Sequence, residues 1–444
     1  MSMEKPAPAA SAKSSTLAGN YFISNYPPFS FWSPEQNVEV EMALDSEPSP
    51  ETKLGVYHHI PFCRKRCHFC YFRVYTDKNA KDIQQYLDAT IAELRMLAER
   101  PLVQGRKPHF VYFGGGTPSY LSARQLRALT DQLKAILPWD EAEEVAFECE
   151  PGTLTPGKLT TIRNLGVTRL SLGIENFDDH ILEINGRAHH SAEVFGAYER
   201  ARAENFPQIN VDLIAGMVEE TEANWQRNIE QTIALRPDNV TIYQMEIPYN
   251  TTIYQKMQAT GKLVAPVADW QTKRRWVREA FAALESAGYT IASGYTAVLH
   301  PERTKFLYRD ELWSGADLLG LGVASFSHAA GVHFQNLTEI DPYLTAIQAG
   351  ELPLKRAFRT SPEERMIREF ILQMKLGHVE LAYFAEKFGV DIVERFAGQL
   401  EQLSAEGLLR VDGGALRLTR SGLLCVDNLL HGFFLPQHRT SHIV

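Results

Sequence analysis

From residue 54 onward, short apolar runs rich in β-branched and aromatic residues alternate with segments of helical period. The runs "LGVYHHI" (54–60), "HFVYFGG" (109–115), "VAFECE" (145–150), "TRLSLGIE" (168–175), "INVDLIAG" (209–216) and "VTIYQME" (240–246) read as strands, with "YTIASGY" (289–295) as a further candidate. Between them, Ile83, Leu87, Ile91, Leu94 and Leu97 share one helical face, and "SARQLRALTDQLKAIL" and "NWQRNIEQTIAL" repeat that period. Strand–helix alternation predicts a parallel sheet with crossover helices, either open and doubly wound or barrel-like.

The pattern changes near residue 361. "SPEERMIREFILQMKLG" and "DIVERFAGQLEQLSAEGLL" read as helices, "RVDGGALRLT" as two short strands around a Gly-Gly turn, and "RSGLLCVDNLLHGFF" as a last helix. Helices followed by a small hairpin predict a compact winged-helix-like domain over 361–440. Upstream, 1–18 reads as a disordered Ala/Ser/Pro-rich leader and 19–53 as an N-terminal arm, with the aromatic, Pro-rich "GNYFISNYPPFSFW" at 19–32. Residues 54–330 form the α/β unit, and 331–360 read as a connector.

Charge and composition narrow the partners. Of 444 residues, 44% are hydrophobic and 22% charged, enough to bury a large core. The net charge of −9, with no Lys/Arg-rich recognition helix, argues against a nucleic-acid partner. No run of 18 apolar residues and no apolar core behind the N-terminal Met are present, so neither a membrane span nor a secretory signal is expected. The expected setting is cytoplasmic, and the expected state a monomer acting on a small molecule.

Three of the five cysteines fall in "HIPFCRKRCHFCYF" (59–72), as C-x3-C-x2-C directly after the first strand. Three thiolates can hold three irons of a four-iron cluster and leave the fourth iron open. A zinc site would need a fourth ligand, for which His58, His59 and His68 are near in sequence. Cys149 and Cys425 stand apart and read as structural. One strand later, the three glycines of "YFGGGTPSYL" (112–121) allow close backbone approach to a ligand. Glu148, Glu175, Asp212 and Glu246 recur near the ends of successive strands, where ligand sites of α/β folds lie, and Arg187 could clamp a carboxylate.

The triad with an aromatic, Phe69, before its last cysteine, followed by the glycine loop, resembles the radical S-adenosylmethionine (SAM) superfamily. The ordered set "YHHIPFC", "FGGGTPSYL", "ECEP", "RLSLGIENFDD", "NGRAH", "NVDLIAG", "LLGLGVASFS" and "LTRSGLL" resembles its oxygen-independent coproporphyrinogen III oxidase-like branch, over about residues 54–435. "ISNYPPFSF" is similar to the arm of the porphyrinogen enzymes. The resemblance implies a partial, open (β/α)6 barrel with the cluster at its C-terminal mouth. It implies a 4Fe-4S cluster held by Cys63, Cys67 and Cys70, and two SAM molecules. It also implies cleavage of SAM to a 5′-deoxyadenosyl radical, and an electron donor of flavodoxin or ferredoxin type. Carried over by motif, Tyr57, Gly115, Glu148 and Phe326 would serve the cluster-bound SAM. Phe69, Gly116, Thr117, Glu175, Arg187, Asp212 and Glu246 would line the second-SAM region, with Glu175 counted beside the cysteines as catalytic.

Departures from that branch bear on the substrate. Phe72 stands where the porphyrinogen enzymes carry a further cysteine, "GIE" where "GVQ" is usual, and "GMV" where "GLP" is usual. "YRDELW" lacks the His-Asn…Tyr-Trp motif of the heme-chaperone relatives. The leading expectation is therefore one-carbon transfer from a second SAM, as methylation or cyclopropanation. Oxidative decarboxylation of coproporphyrinogen III is the alternative, and heme transfer the third reading.

Overall fold

The computed structural model describes residues 21–260 and 267–439; the expected leader, 1–18, lies outside them. Six strands form in chain order: β1 (Leu54–Ile60), β2 (Phe110–Gly115), β3 (Glu144–Cys149), β4 (Arg169–Glu175), β5 (Gln208–Ala215) and β6 (Asn239–Gln244). Each pairs in parallel with the next. Helices follow the first five, among them Ala80–Ala98, Ala123–Ile136, Pro156–Asn164, Ser191–Ala203 and Glu222–Leu235. They lay their apolar faces on the sheet, so Leu87, Ile91 and Leu94 pack in the same core as Leu126, Leu133, Leu159 and Val194. Consecutive parallel strands with crossover helices make an open (β/α)6 barrel, as expected, and bring every strand's C-terminal end to one mouth.

The sheet does not stop at six strands. The candidate at 289–295 resolves into two short strands, β7 (Thr290–Ile291) and β8 (Thr296–Val298), antiparallel beyond β6. On the other side β9 (Asp317–Leu321) lies parallel to β1, and β10 (Phe326–Ala329), β11 (Val332–Asn336) and β12 (Leu354–Arg359) follow antiparallel. Residues 331–360, read as a connector, therefore supply two strands and the helix Ile340–Gln348 to the same sheet. Their buried side chains include His333, Gln335 and Asn336, whose polarity hides a strand from a hydrophobicity pattern.

The C-terminal unit packs the helices Pro362–Met374 and Leu381–Phe388 against a three-stranded sheet of β13 (His378–Glu380), β15 (Ala415–Leu418) and β14 (Leu409–Asp412). Two of its expected helices are broken. "DIVERFAGQLEQLSAEGLL" splits at Phe396 and "RSGLLCVDNLLHGFF" at Cys425, both residues leaving helical geometry with ψ near 25°. Phe396 turns inward to stack on Phe370, so packing overrides helical continuity.

The arm ties the two units together. Ser33 exchanges backbone hydrogen bonds with Ala357 and covers the outer edge of β12. Tyr26 is fully buried in the core of the C-terminal unit. Beside it Lys375 and Asp427, both fully buried, pair at 2.8 Å. Lys375 donates to the Ile23 carbonyl at 2.6 Å, and Asp427 accepts from the Ile23 amide at 2.9 Å. Removing one member leaves the other charge buried without its partner. Asp427→Ala should therefore cost about 3–5 kcal/mol, read as a lower urea midpoint, whereas Lys375→Met with Asp427→Leu should recover most of the loss.

Candidate active site

At the barrel mouth the loop after β1 carries the three thiols. Its path is set by backbone pairing: Cys63 donates to Tyr75 O, Tyr75 to Pro61 O, and His68 to Asn185 O. The glycine loop after β2 is zipped onto it, Gly116 N donating to Ile60 O at 2.8 Å and Thr117 N to Phe62 O at 2.9 Å. Gly115 adopts φ +110°, which a side chain disfavours. A Cβ on Gly116 would stand 2.8 Å from Ile60 O and 3.1 Å from Cys63 Sγ, so only glycine lets the two loops meet. Thr117 Oγ1 donates to Cys63 Sγ at 3.3 Å, and Arg187 Nη1 to Cys67 Sγ at 3.3 Å.

The thiols open onto one cavity of about 440 Å³. Of the residues singled out from sequence, it brings together Cys63, Cys67, Cys70, Phe69, Gly115, Gly116, Thr117, Glu148, Glu175, Arg187, Asp212 and Glu246. Tyr57 and Phe326 do not line it. Tyr57 lies behind Tyr112, ring centroids 5.9 Å apart, with its hydroxyl 2.9 Å from His59 Nδ1. Phe326 stacks on Phe29 of the arm at 4.5 Å. Asp212 lies in the middle of β5, deeper than a strand-end rim, where Ser171 and Asn210 donate to it at 2.8 and 2.9 Å. Cys425 is buried away from the cavity, while Cys149, also buried, forms part of its wall.

The histidines considered as a fourth ligand are engaged elsewhere. His58 bonds Thr90 at 2.9 Å and His68 the Ile184 carbonyl at 2.9 Å, and burial drives the His58 and His59 rings down to about 3 and 4. Among the described residues no three His, Cys, Asp or Glu side chains converge on a single point. Thiolates that each take a different iron of a cluster need no such convergence. Three cysteines of one loop on one cavity wall, with a hydroxyl and a guanidinium donating to two of the sulfurs, fit a cluster.

Several lining residues are not among the candidates read from the sequence: Tyr112, Arg169, Ser171, Asn210, Thr241 and Tyr243. The signal for them is the two-residue period of strands. Arg169, Ser171, Gly173 and Glu175 alternate along β4, all facing inward, and Arg169 closes the floor with its guanidinium 4.4 Å over Phe306. Arg64, exposed at the loop's outer face, bonds Glu150 through two nitrogens. Burial opposes the charge of Glu150, but His189 and Arg64 beside it hold its carboxyl down at about 2.

The other cavity acids behave differently. Burial pushes Glu148, Glu175 and Glu246 up to about 7. Tyr112, donating at 2.6 Å, and Gly115 N, at 3.0 Å, offset this only in part at Glu148. The Phe22 amide, at 2.8 Å, does the same at Glu246. Buried acids with spare acceptors suit ammonium and hydroxyl groups.

A radical SAM superfamily model matches residues 57–231, and a HemN C-terminal domain model residues 360–425. The heme chaperone HemW of Bacillus subtilis is 29% identical over 388 residues, covering 86% of this chain and 99% of that protein. An oxygen-independent coproporphyrinogen III oxidase of Pseudomonas aeruginosa is 28% identical over 402 residues, covering 86% of each chain. The solved structure of coproporphyrinogen III oxidase (HemN) from Escherichia coli superposes with a TM-score of 0.80 at 23% identity, covering 93% of this chain and 96% of that one. A cluster-fitting triad at the mouth of an open barrel thus coincides with a radical SAM domain. The chain carries a radical SAM superfamily domain and a HemN C-terminal domain, and its cofactors are a 4Fe-4S cluster and SAM. Among the described residues no helix is long and apolar enough to cross a membrane.

Two predictions follow from this geometry. Cys63→Ala, Cys67→Ala and Cys70→Ala should each lose cluster iron and sulfide after anaerobic reconstitution, and Gly116→Ala should lower both, while Cys425→Ala keeps them. The raised acids make the cofactor-free protein sensitive to pH. A buried Glu near 7 that titrates near 4.5 when unfolded keeps an extra proton in the folded state between those values. Thermal stability should therefore fall as pH rises from 5 to 8, and Glu148→Gln should flatten that slope.

Proposed function

We propose that this chain oxidatively decarboxylates propionate side chains of a reduced tetrapyrrole, as an oxygen-independent coproporphyrinogen III oxidase. The observation that carries this reading is the aromatic wall of the cavity. Tyr71, Phe72 and Tyr243 remain 46, 46 and 42% exposed, and all three line the cavity. Tyr71 and Phe72 lie ring to ring at 4.6 Å. Large apolar faces left open inside a cavity suit a broad, flat, apolar ligand. Lys65 and Arg66, on the cysteine loop, line the same cavity and suit a ligand whose edges carry carboxylates. Relatives named for this activity match 86 and 91% of this chain.

When bound, the cluster and SAM supply reductive cleavage of the sulfonium and, from it, a radical able to abstract hydrogen. The change in substrate is the loss, from each propionate, of one hydrogen atom, CO2 and one electron, which leaves a vinyl group. The chain's own residues orient and enclose. Glu148 and Gly115 would receive the first SAM; Gly116, Thr117, Glu175, Arg187, Asp212 and Glu246 would serve a second. The aromatic wall holds the ring, and Phe22 of the arm closes the cavity beside Glu246. An external one-electron donor of flavodoxin or ferredoxin type supplies the electron for SAM cleavage, and an external one-electron acceptor takes up the electron that each decarboxylated propionate releases.

One-carbon transfer, the leading expectation from the sequence, is not carried forward. The relatives compared are named as coproporphyrinogen oxidases or as a heme chaperone. Phe72, the departure that favoured it, takes a place in the aromatic wall. Heme transfer is disfavoured at the helix Leu307–Trp313, where Tyr308 is packed 4.3 Å from Tyr112 instead of presenting a ligand.

Reconstituted protein given coproporphyrinogen III, SAM and dithionite without oxygen should form protoporphyrinogen IX, read as protoporphyrin fluorescence after oxidation, together with 5′-deoxyadenosine. SAM cleavage with no tetrapyrrole product would overturn the assignment, as would stoichiometric hemin binding without turnover. Phe72→Ala should raise KM up to about tenfold, the loss of an aromatic contact of ~0.5–1.5 kcal/mol, with kcat less affected.

A further inference from the structure

Arg187 is placed with unusual care for a residue outside the strands. It follows the helix Asp179–Ile184, on a turn fixed by Asn185. That buried amide donates to Ile181 O at 2.8 Å and Val218 O at 3.1 Å, and the Asn185 carbonyl accepts from His68 N of the cysteine loop at 2.9 Å. The turn and the loop therefore move as one body. From it the guanidinium reaches four groups. Nη1 donates to Cys67 Sγ at 3.3 Å and lies 3.6 Å from Glu175 Oε1, and Nη2 donates to Gly173 O at 2.5 Å and lies 3.5 Å from His189 Nδ1. Nε is buried with no partner. The two side chains are only 11 and 12% exposed.

Glu175 is bent toward this contact. It ends β4 at φ +66°, in the left-handed region that a glutamate seldom adopts. The β4–β5 register shifts between Gly173 and Glu175. Gly173 leaves the room, since a Cβ there would stand 3.1 Å from Glu175 Oε1 and 3.4 Å from Arg187 Nη2. At this position the resembling motif has a neutral glutamine, whereas this chain places a carboxylate facing the arginine.

We propose that Arg187 sets the reduction potential of the cluster through Cys67, and that Glu175 sets how much positive charge Arg187 lends to it. This rests on the assignment of Cys63, Cys67 and Cys70 as cluster ligands. One electron, from an external low-potential donor, makes the cluster and its thiolates one unit more negative. A cationic hydrogen-bond donor on a ligating sulfur stabilises that reduced form, and hydrogen bonds to sulfur and local charge are the levers that tune such potentials. The site is buried, so screening is weak. A carboxylate 3.6 Å from the guanidinium cancels part of its field and draws the potential down. Arg187 and Glu175 are thus positioning residues that act on the cluster through Cys67.

The test is a redox titration of the reconstituted full-length protein at pH 8, followed by electron paramagnetic resonance of the reduced cluster. Iron and sulfide content are measured in every sample. Arg187→Met should shift the midpoint negative by about tenfold in the reduction equilibrium, ~59 mV for one electron. Arg187→Lys, which keeps the charge but not the planar fork, should fall between that variant and the parent. Glu175→Gln, which keeps shape and removes charge, should shift the midpoint positive. Unchanged midpoints in loaded Glu175→Gln and Arg187→Lys would overturn the proposal, even if Arg187→Met failed to load. A parent protein with no 4Fe-4S signal would overturn the cluster assignment and the proposal with it. Because no tetrapyrrole is used, failure of the substrate assignment leaves this result standing.

Discussion

Two backbone hydrogen bonds, from Gly116 to Ile60 and from Thr117 to Phe62, continue the β1–β2 pairing past the ends of both strands. The site depends on them. They hold the cysteine loop and the glycine loop at backbone distance, which fixes where three thiols face. They also require the absence of a side chain at Gly116, and they place Thr117 against Cys63. A parallel sheet supplies the rest, since its strands all deliver their C-terminal ends to one opening. Chemistry from six segments distant in sequence then converges without any one loop having to be long.

Beyond that opening the cavity is organised by burial. It is lined by acids that a low-dielectric interior drives toward neutrality, yet some retain one or two fixed donors, such as Tyr112 and Gly115 at Glu148. Glu150 is the counter-case, kept ionised by its neighbours Arg64 and His189 at the loop's outer face. Glu150 therefore keeps its negative charge on the cavity wall beside the cysteine loop, paired with arginine. The raised acids respond to what enters. A cationic ligand would draw charge onto them, which is a form of recognition that needs little movement.

Much of this was legible in the chain, for identifiable reasons. Strands buried on both faces read as runs of Val, Ile, Leu and Phe, so β1 to β6 stand out. β11, "VHFQN", is as fully buried but polar, and β12, "LKRAFR", carries the charges of a strand near an edge; neither shows in a hydrophobic pattern. The breaks at Phe396 and Cys425 follow from tertiary packing, which no local period encodes. In the site, spacing revealed the cysteines and the glycine loop. Alternation marks Arg169, Ser171 and Glu175 as one face of β4 but does not say that the face is inward. Nor could sequence tell that Tyr57 would sit one ring behind Tyr112, or that Phe326 would stack on an arm residue from the far end of the chain.

The arm's anchorage bears on how the molecule is made. Ile23 is held by Asp427 and Lys375, and Phe22 by Glu246, so one wall of the cavity joins a segment synthesised early to groups synthesised late. While the chain emerges, the barrel strands can pair as they appear, but Ile23 lacks both of its charged partners until Lys375 and Asp427 are in place. The seat of the arm at the cavity thus depends on the C-terminal unit as well as on the barrel.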